Sequence, residues 1–325
     1  MSLAVRPGEN PAALDPGPWP VDRHREAVLG GEPGHGTDVG VKAEPGRRPG
    51  HRPGPPARQP AAWPPGDLAD DGLVEAADMP VGAVATPAGI CPFTVDAPVM
   101  RQRWERLTFV HWSYEPAIVQ RLLPPWLRAD TFGGMAWVGL VPFFMRVASA
   151  GGRRAPWMSN FCETNVRTYV LDPQGRPGIW FFSLDAARAG AVAAARATYR
   201  LPYHWSRMRL ATRGDEIAYR CQRRWPGPRP VTSRVRISVG ERFGAGELDD
   251  RDHFLTARWV LFSSAGARHR FARAYHPPWP LHRAQVVMAD DHLVAAAGLP
   301  PPRGEPLAHY SPGVDVRIGR PESYR

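Results

Sequence analysis

From residue 104 onward, apolar residues fall in short runs, continuous or alternating and bounded by Pro and Gly, which is the pattern of strands. LTFVHW (107–112), MAWVGLVPFFMRV (135–147), TNVRTYVLD (164–172) and GIWFFSL (178–184) come first. EIAYRCQRRW (216–225), SRVRISVG (233–240) and GVDVRIG (313–319) follow. In the last two, Val235, Ile237 and Val239, then Val314, Val316 and Ile318, alternate with polar residues, so each run lays one face on a core. Pro142 inside an apolar run predicts a bulge or an edge position. Helical patterns are fewer. One covers 115–123 and stops before Pro124-Pro125; an Ala-rich one covers 185–199, with Asp185 at its start as cap or dipole partner. Fainter ones cover 253–263 and 290–297. The sum is an α+β domain, mainly β, whose strand spacing suits a closed or strongly curved antiparallel sheet with a few packed helices.

Composition divides the chain near residue 98. Residues 1–98 hold 18 of the 38 Pro and 14 of the 32 Gly but only three aromatics, Trp19, Trp63 and Phe93. So little apolar bulk cannot offset the entropy of ordering the chain, and a disordered N-terminal tail is expected, followed by one domain over 99–325. Met79 is an alternative start, since a chain beginning there has ordinary composition. The tail carries 8 basic and 13 acidic residues, net −5, against 33 and 18 in the domain, net +15. Such a field admits anionic ligands, nucleic acid or an acidic membrane surface. The arginines are scattered along the sequence, however, with no zinc-finger spacing or aromatic RNA-binding signature, so neither a nucleic-acid nor a membrane partner is expected. Cys91, Cys162 and Cys221 suggest neither a disulfide framework nor structural zinc. No run approaches the roughly 18–20 apolar residues of a membrane span, and no secretory signal is seen, which predicts a cytoplasmic protein. No dinucleotide fingerprint, phosphate loop, GxSxG elbow or HExxH pattern occurs, so no cofactor or metal is expected. Open strand edges would admit a homo-oligomer.

Candidate chemistry concentrates around residues 157–170. On a strand, the two-residue period places Phe161, Glu163, Asn165, Arg167 and Tyr169 on one face. Inside a closed sheet, this row offers an acceptor, an amide and a bidentate cation along one wall, suited to a carboxylate or enolate ligand. On an open sheet it is a solvated face with a cross-strand ion pair. Ser183 and Asp185 share a face on the next strand by the same count. Tyr203 and His204 follow the Ala-rich helix, where His204 has the chemistry to shuttle protons near neutral pH or to serve as a packed ring. His276 and His282 bound HPPWPLH, which reads as a rigid turn.

The stretches RQRWERLTFVHW, LLPPWL, DTFGGMAWVGLVPF, PWMSNFCETNVRTYV, GIWFFSLDAARA, YRLPYHWSRM and HPPWPLH resemble the YqjF-like family, the domain of unknown function 2071. That family belongs to the acetoacetate decarboxylase-like superfamily. The resemblance implies a β-rich cone or barrel with an internal pocket, and no assigned activity. In the decarboxylases, a helix leads into a Gly-Phe-Pro-Lys-Lys segment whose first lysine forms a Schiff base. Here Pro202 matches the proline, which implies that Tyr203 stands at the nucleophile position and His204 beside it, with Glu163 matching a pocket glutamate. An imine needs a primary amine, and Lys42, in the tail, is the only lysine. Schiff-base decarboxylation through the domain is thereby excluded.

Two functions are expected from this. One is binding of a small polar or anionic organic molecule by Glu163, Asn165, Arg167, Ser183 and Tyr203. The other is general acid/base catalysis by Glu163, Tyr203 or His204 on a carbonyl or carboxylate substrate, of lyase, isomerase or hydrolase type.

Overall fold

The computed structural model describes residues 89–149, 159–227, 231–266 and 268–324. The chain divides into units Met1–Val74 and Glu75–Arg325, and all described residues belong to the second. The expected tail therefore lies outside the described residues as far as residue 88, as does Met79.

The elements run β1 (Met100–Tyr114), α1 (Pro116–Gln120), β2 (Arg128–Ala129), β3 (Thr131–Phe132), β4 (Met135–Ser149), β5 (Asn160–Leu171), β6 (Pro177–Ala186) and α2 (Ala189–Tyr199). Then come β7 (Tyr203–Arg213), β8 (Glu216–Trp225), β9 (Thr232–Arg242), α3 (Asp250–Thr256), β10 (Val260–Ala265), β11 (Arg268–Tyr275), β12 (His282–Asp291), α4 (Leu293–Ala296), β13 (Leu307–Ile318) and β14 (Glu322–Ser323). All seven predicted runs are strands. The 253–263 pattern is half helix and half strand: α3 is fixed by a capping box between Asp249 and Asp252, and β10 follows it.

One sheet joins the strands, antiparallel except where β6 meets β7 and β10 in parallel. β13, β1, β4, β5 and β6 pair in succession as a five-stranded wall. Both outer strands of this wall divide their remaining edge. On β6, Ile179 and Trp180 pair with β10, whereas Leu184, Asp185 and Ala186 pair with β7. On β13, His309 and Tyr310 pair with β12, whereas Arg317 and Ile318 pair with β11. The wall therefore closes twice. One closure is a nine-stranded ring through β7, β8, β9 and β12, and the other a seven-stranded ring through β10 and β11.

The nine-stranded ring is filled. Val110, Val166, Ile217, Val235 and Ile237, all at most 3% exposed, pack in one cluster. Across it, Thr108 Oγ1 lies 2.8 Å from the Tyr219 hydroxyl, which donates to Arg106 O at 2.8 Å.

Between Glu105 and Val110 the register of β1 against β4 shifts by one residue. Arg106 is the turning point, with φ 48, a left-handed value that non-glycine residues seldom adopt. Pro142 lies in the gap on the β4 side and Pro312 opposite Arg106 on the β13 side, and neither has an N–H to lose. The bulge that Pro142 predicts is thus present, in the partner strand. Gly313, at φ 141, is required beside it, because a Cβ there would stand 2.2 Å from Trp104 O. No helix among the described residues is long and apolar enough to cross a membrane.

Candidate functional site

The seven-stranded ring encloses a cavity of about 670 Å³, with every strand of that ring, α2 and the loop after β11 contributing to its lining. The walls are mostly apolar: Trp104, Phe143, Phe161, Phe181 and Trp279 surround it. Polarity enters along β5, where Glu163, Asn165 and Arg167 line the cavity in alternation and are 2%, 5% and 6% exposed, and from other elements through Gln102, Tyr203, Thr256, Arg258 and His276.

Arg167 is a buried cation with few partners. Its Nη2 lies 3.5 Å from Leu255 O, its Nε has no partner, and among the described residues no carboxylate forms an ion pair with it. Aromatic faces supply part of the compensation, with the guanidinium 5.2 Å from the Phe109 ring and 5.9 Å from that of Tyr169. Tyr169 is fixed in turn, donating to Leu255 O and standing 2.7 Å from His111 Nε2. Opposite Arg167 in the register is Gly139, where a Cβ would stand 2.9 Å from His111 Nε2. Burial, together with Arg167, holds the His111 pKa well below the usual imidazole range.

At the other end of the row, the Tyr203 hydroxyl donates to Glu163 Oε2 at 3.0 Å. Burial pushes the Glu163 carboxyl up to about 8 despite this bond, and Asp185 adds to the rise. Tyr203 is raised well above the usual phenol value, first by its own burial and then by Glu163. The pair is therefore a neutral phenol on a carboxyl group that holds its proton near pH 7. Asn165 Oδ1, between the two ends, has no partner.

Three sequence expectations are corrected. Ser183 does not line the cavity. Phe182 is an extra residue in β6, so Phe181 stays opposite Arg167 while Ser183 comes opposite Val166 and turns to the filled side. Asp185 turns with it and caps no helix: α2 begins four residues later with no side-chain cap. Instead Asp185 is fully buried, takes two bonds from Arg223 (2.9 and 2.7 Å) and accepts from Ser206 at 2.7 Å. His204 pairs beside Asp185 and bonds Pro226 O at 2.9 Å, outside the cavity lining. Of the three catalytic candidates, then, only Glu163 and Tyr203 come together.

Arg258, His276 and Trp279 are among the cavity residues that escaped the sequence reading. Arg258 is paired to Asp130 at 3.0 Å. His276 and Trp279 come from the HPPWPLH segment, a loop as expected but one that reaches inward. Burial lowers His276 to about 4, and Trp279 Nε1 donates to Thr256 O at 3.0 Å. The available signal was Trp279 between Pro278 and Pro280, a large ring that needs burial a surface turn does not give.

Known proteins share this arrangement of strands. A family model described as DUF2071, uncharacterized conserved protein, matches residues 101–315. Uncharacterized protein YqjF of Bacillus subtilis (strain 168) is 34% identical over 219 residues, 67% of this chain and 89% of that protein. Among solved structures, the enduracididine biosynthesis enzyme MppR complexed with pyruvate aligns with a TM-score of 0.51 at 14% identity, covering 70% of this chain and 90% of that one. That likeness shows a shared fold. An acetoacetate decarboxylase-like enzyme from Sphingomonas wittichii RW1 aligns with a TM-score of 0.49 at 16% identity, covering 71% and 94%.

Proposed function

The chain belongs to the DUF2071 family of uncharacterized conserved proteins, and from that starting point we propose that its cavity binds a small organic anion through Arg167. One observation carries the reading: a guanidinium 6% exposed, on a cavity wall, with no carboxylate partner among the described residues. A charge removed from water without a counter-ion is costly, and a guanidinium keeps its charge in proteins. A ligand carboxylate supplies the missing partner and matches the planar fork with two hydrogen bonds. Glu163, neutral near pH 7, adds no negative charge to the wall that would repel that anion.

Thermal unfolding of the protein with millimolar butanoate tests this. The melting temperature should rise with butanoate concentration, as it does for a ligand that binds only the folded state. Arg167→Met should abolish the rise. An equal rise in the variant would overturn the reading.

The Glu163 and Tyr203 contact favours a second reading, general acid/base catalysis on a carbonyl or carboxylate substrate without imine chemistry. A buried carboxyl group held near neutrality on a cavity wall is suited to both giving and taking a proton. It requires that 2-oxobutanoate exchange its α-protons with D2O in the presence of the protein, and that Glu163→Gln slow the exchange. No exchange above the protein-free rate would remove it.

A further inference from the structure

Resting on the anion-binding reading, we infer that the occupant is an amphiphile: a monocarboxylate whose acid group meets Arg167 and whose apolar body, of at least about eight carbons, lies against the apolar walls. The cavity measures about 670 Å³, in the middle of the range of sites that enclose drug-sized ligands. An acid of two to four carbons would occupy a small part of it and leave the aromatic walls without contacts.

The walls distribute polarity unevenly. Glu163, Asn165 and Arg167 share one strand, Thr256, Arg258 and His276 add polar groups to the lining, and Trp104, Phe143, Met145, Phe161, Phe181 and Trp279 supply much of the apolar remainder. A ligand polar at several points would leave groups unpaired against those rings. A ligand with one polar end and one apolar end matches both regions.

Helix α2 explains why the space is there. It presents Ala191, Ala194, Ala195, Thr198 and Tyr199 to the cavity, spaced so that they form one helical face. Val192 is the residue that anchors α2 to the core, whereas Ala191 and Ala195 are half-buried and Ala194 and Thr198 exposed, so this face borders the cavity without filling it. Here three of the five α2 positions that line the cavity are alanines, with Thr198 and Tyr199 at the last turn, and the small side chains leave space in the same cavity that holds the incompletely partnered Arg167 Nε.

The test is calorimetric titration of the full-length protein with butanoate, hexanoate, octanoate and decanoate. Affinity should rise about four-fold per methylene up to octanoate. Ala195→Leu should leave butanoate binding within two-fold of wild type and weaken octanoate at least ten-fold. Ala191→Leu, one turn away, gives the same readout should the first variant fail to fold. Affinity independent of chain length, or octanoate binding unchanged in the folded leucine variants, would overturn the amphiphile while Arg167-dependent butanoate binding keeps its parent reading intact. No binding by any of the four acids would overturn both.

Discussion

Arg167 and Arg223 are both buried, 6% and 4% exposed, and lie on opposite sides of one sheet. Arg223 faces the filled ring, where Asp185 meets it with two bonds and Ser206 completes the carboxylate's partners. Arg167 faces the hollow ring, with aromatic faces, a distant carbonyl and an unpartnered Nε. The difference separates two uses of a buried cation. Where the partner is built into the fold, the charge serves the fold; where the described residues supply no carboxylate, the proposed reading assigns the charge to a bound anion.

The largest effect should come from Arg223→Met, which strands the Asp185 carboxylate. Urea unfolding should show a loss of about 3–5 kcal/mol, largely recovered in the double variant Asp185→Leu/Arg223→Met. A loss below about 1 kcal/mol would mean that the ion pair does not serve the fold as described. Arg167→Met should act in the opposite sense, leaving the ligand-free protein as stable as wild type or more so, by about 1 kcal/mol. A loss of several kcal/mol would place Arg167 with Arg223, as a structural residue.

The pH effect of Glu163 is smaller per unit of pH. Its folded pKa lies at about 8 against an ordinary 4.5, so between those values the folded state keeps a proton that the unfolded chain has released. Stability from this group is therefore full below about 4.5, falls as pH rises by at most about 1.4 kcal/mol per unit, and levels off above about 8. Glu163→Gln should remove this component, so that its stability relative to wild type rises over the same window. The difference curve is needed because His276, lowered to about 4, contributes the reverse slope between about 6.5 and 4. A flat difference curve would show that Glu163 does not hold its proton in the folded state.

Strand positions and the polar row of β5 were legible because β5 runs without interruption from Phe161 to Tyr169, so its two-residue period holds from sequence to structure. It fails one strand away. Phe182 shifts the count in β6, and no local feature of PGIWFFSLDA announces an extra residue, so Ser183 and Asp185 were assigned to the wrong side. Strand β7 was missed because Arg207 and Arg209 on its exposed face dilute the alternation of Ser206, Met208 and Leu210. The arginines scattered in sequence also gather once strands pair: Arg209 faces Arg220, and Arg220 faces Arg234, all exposed. Such a row depends on register, which no single run of sequence contains. An internal pocket was expected only through the family resemblance and not from the residue pattern, since the cavity depends on the wall closing a second time through β10 and β11.

The extra residue at Arg106 sets the phase of β1. Before it, Met100, Gln102 and Trp104 face the cavity; after it, Leu107 does, with Thr108 and Val110 turned to the filled side. A chain shortened by that single residue would exchange the two halves of its inventory, sending Trp104 into a space already occupied and bringing a neighbour into the void. The hollow is thus inherited through a count of residues as much as through their identities.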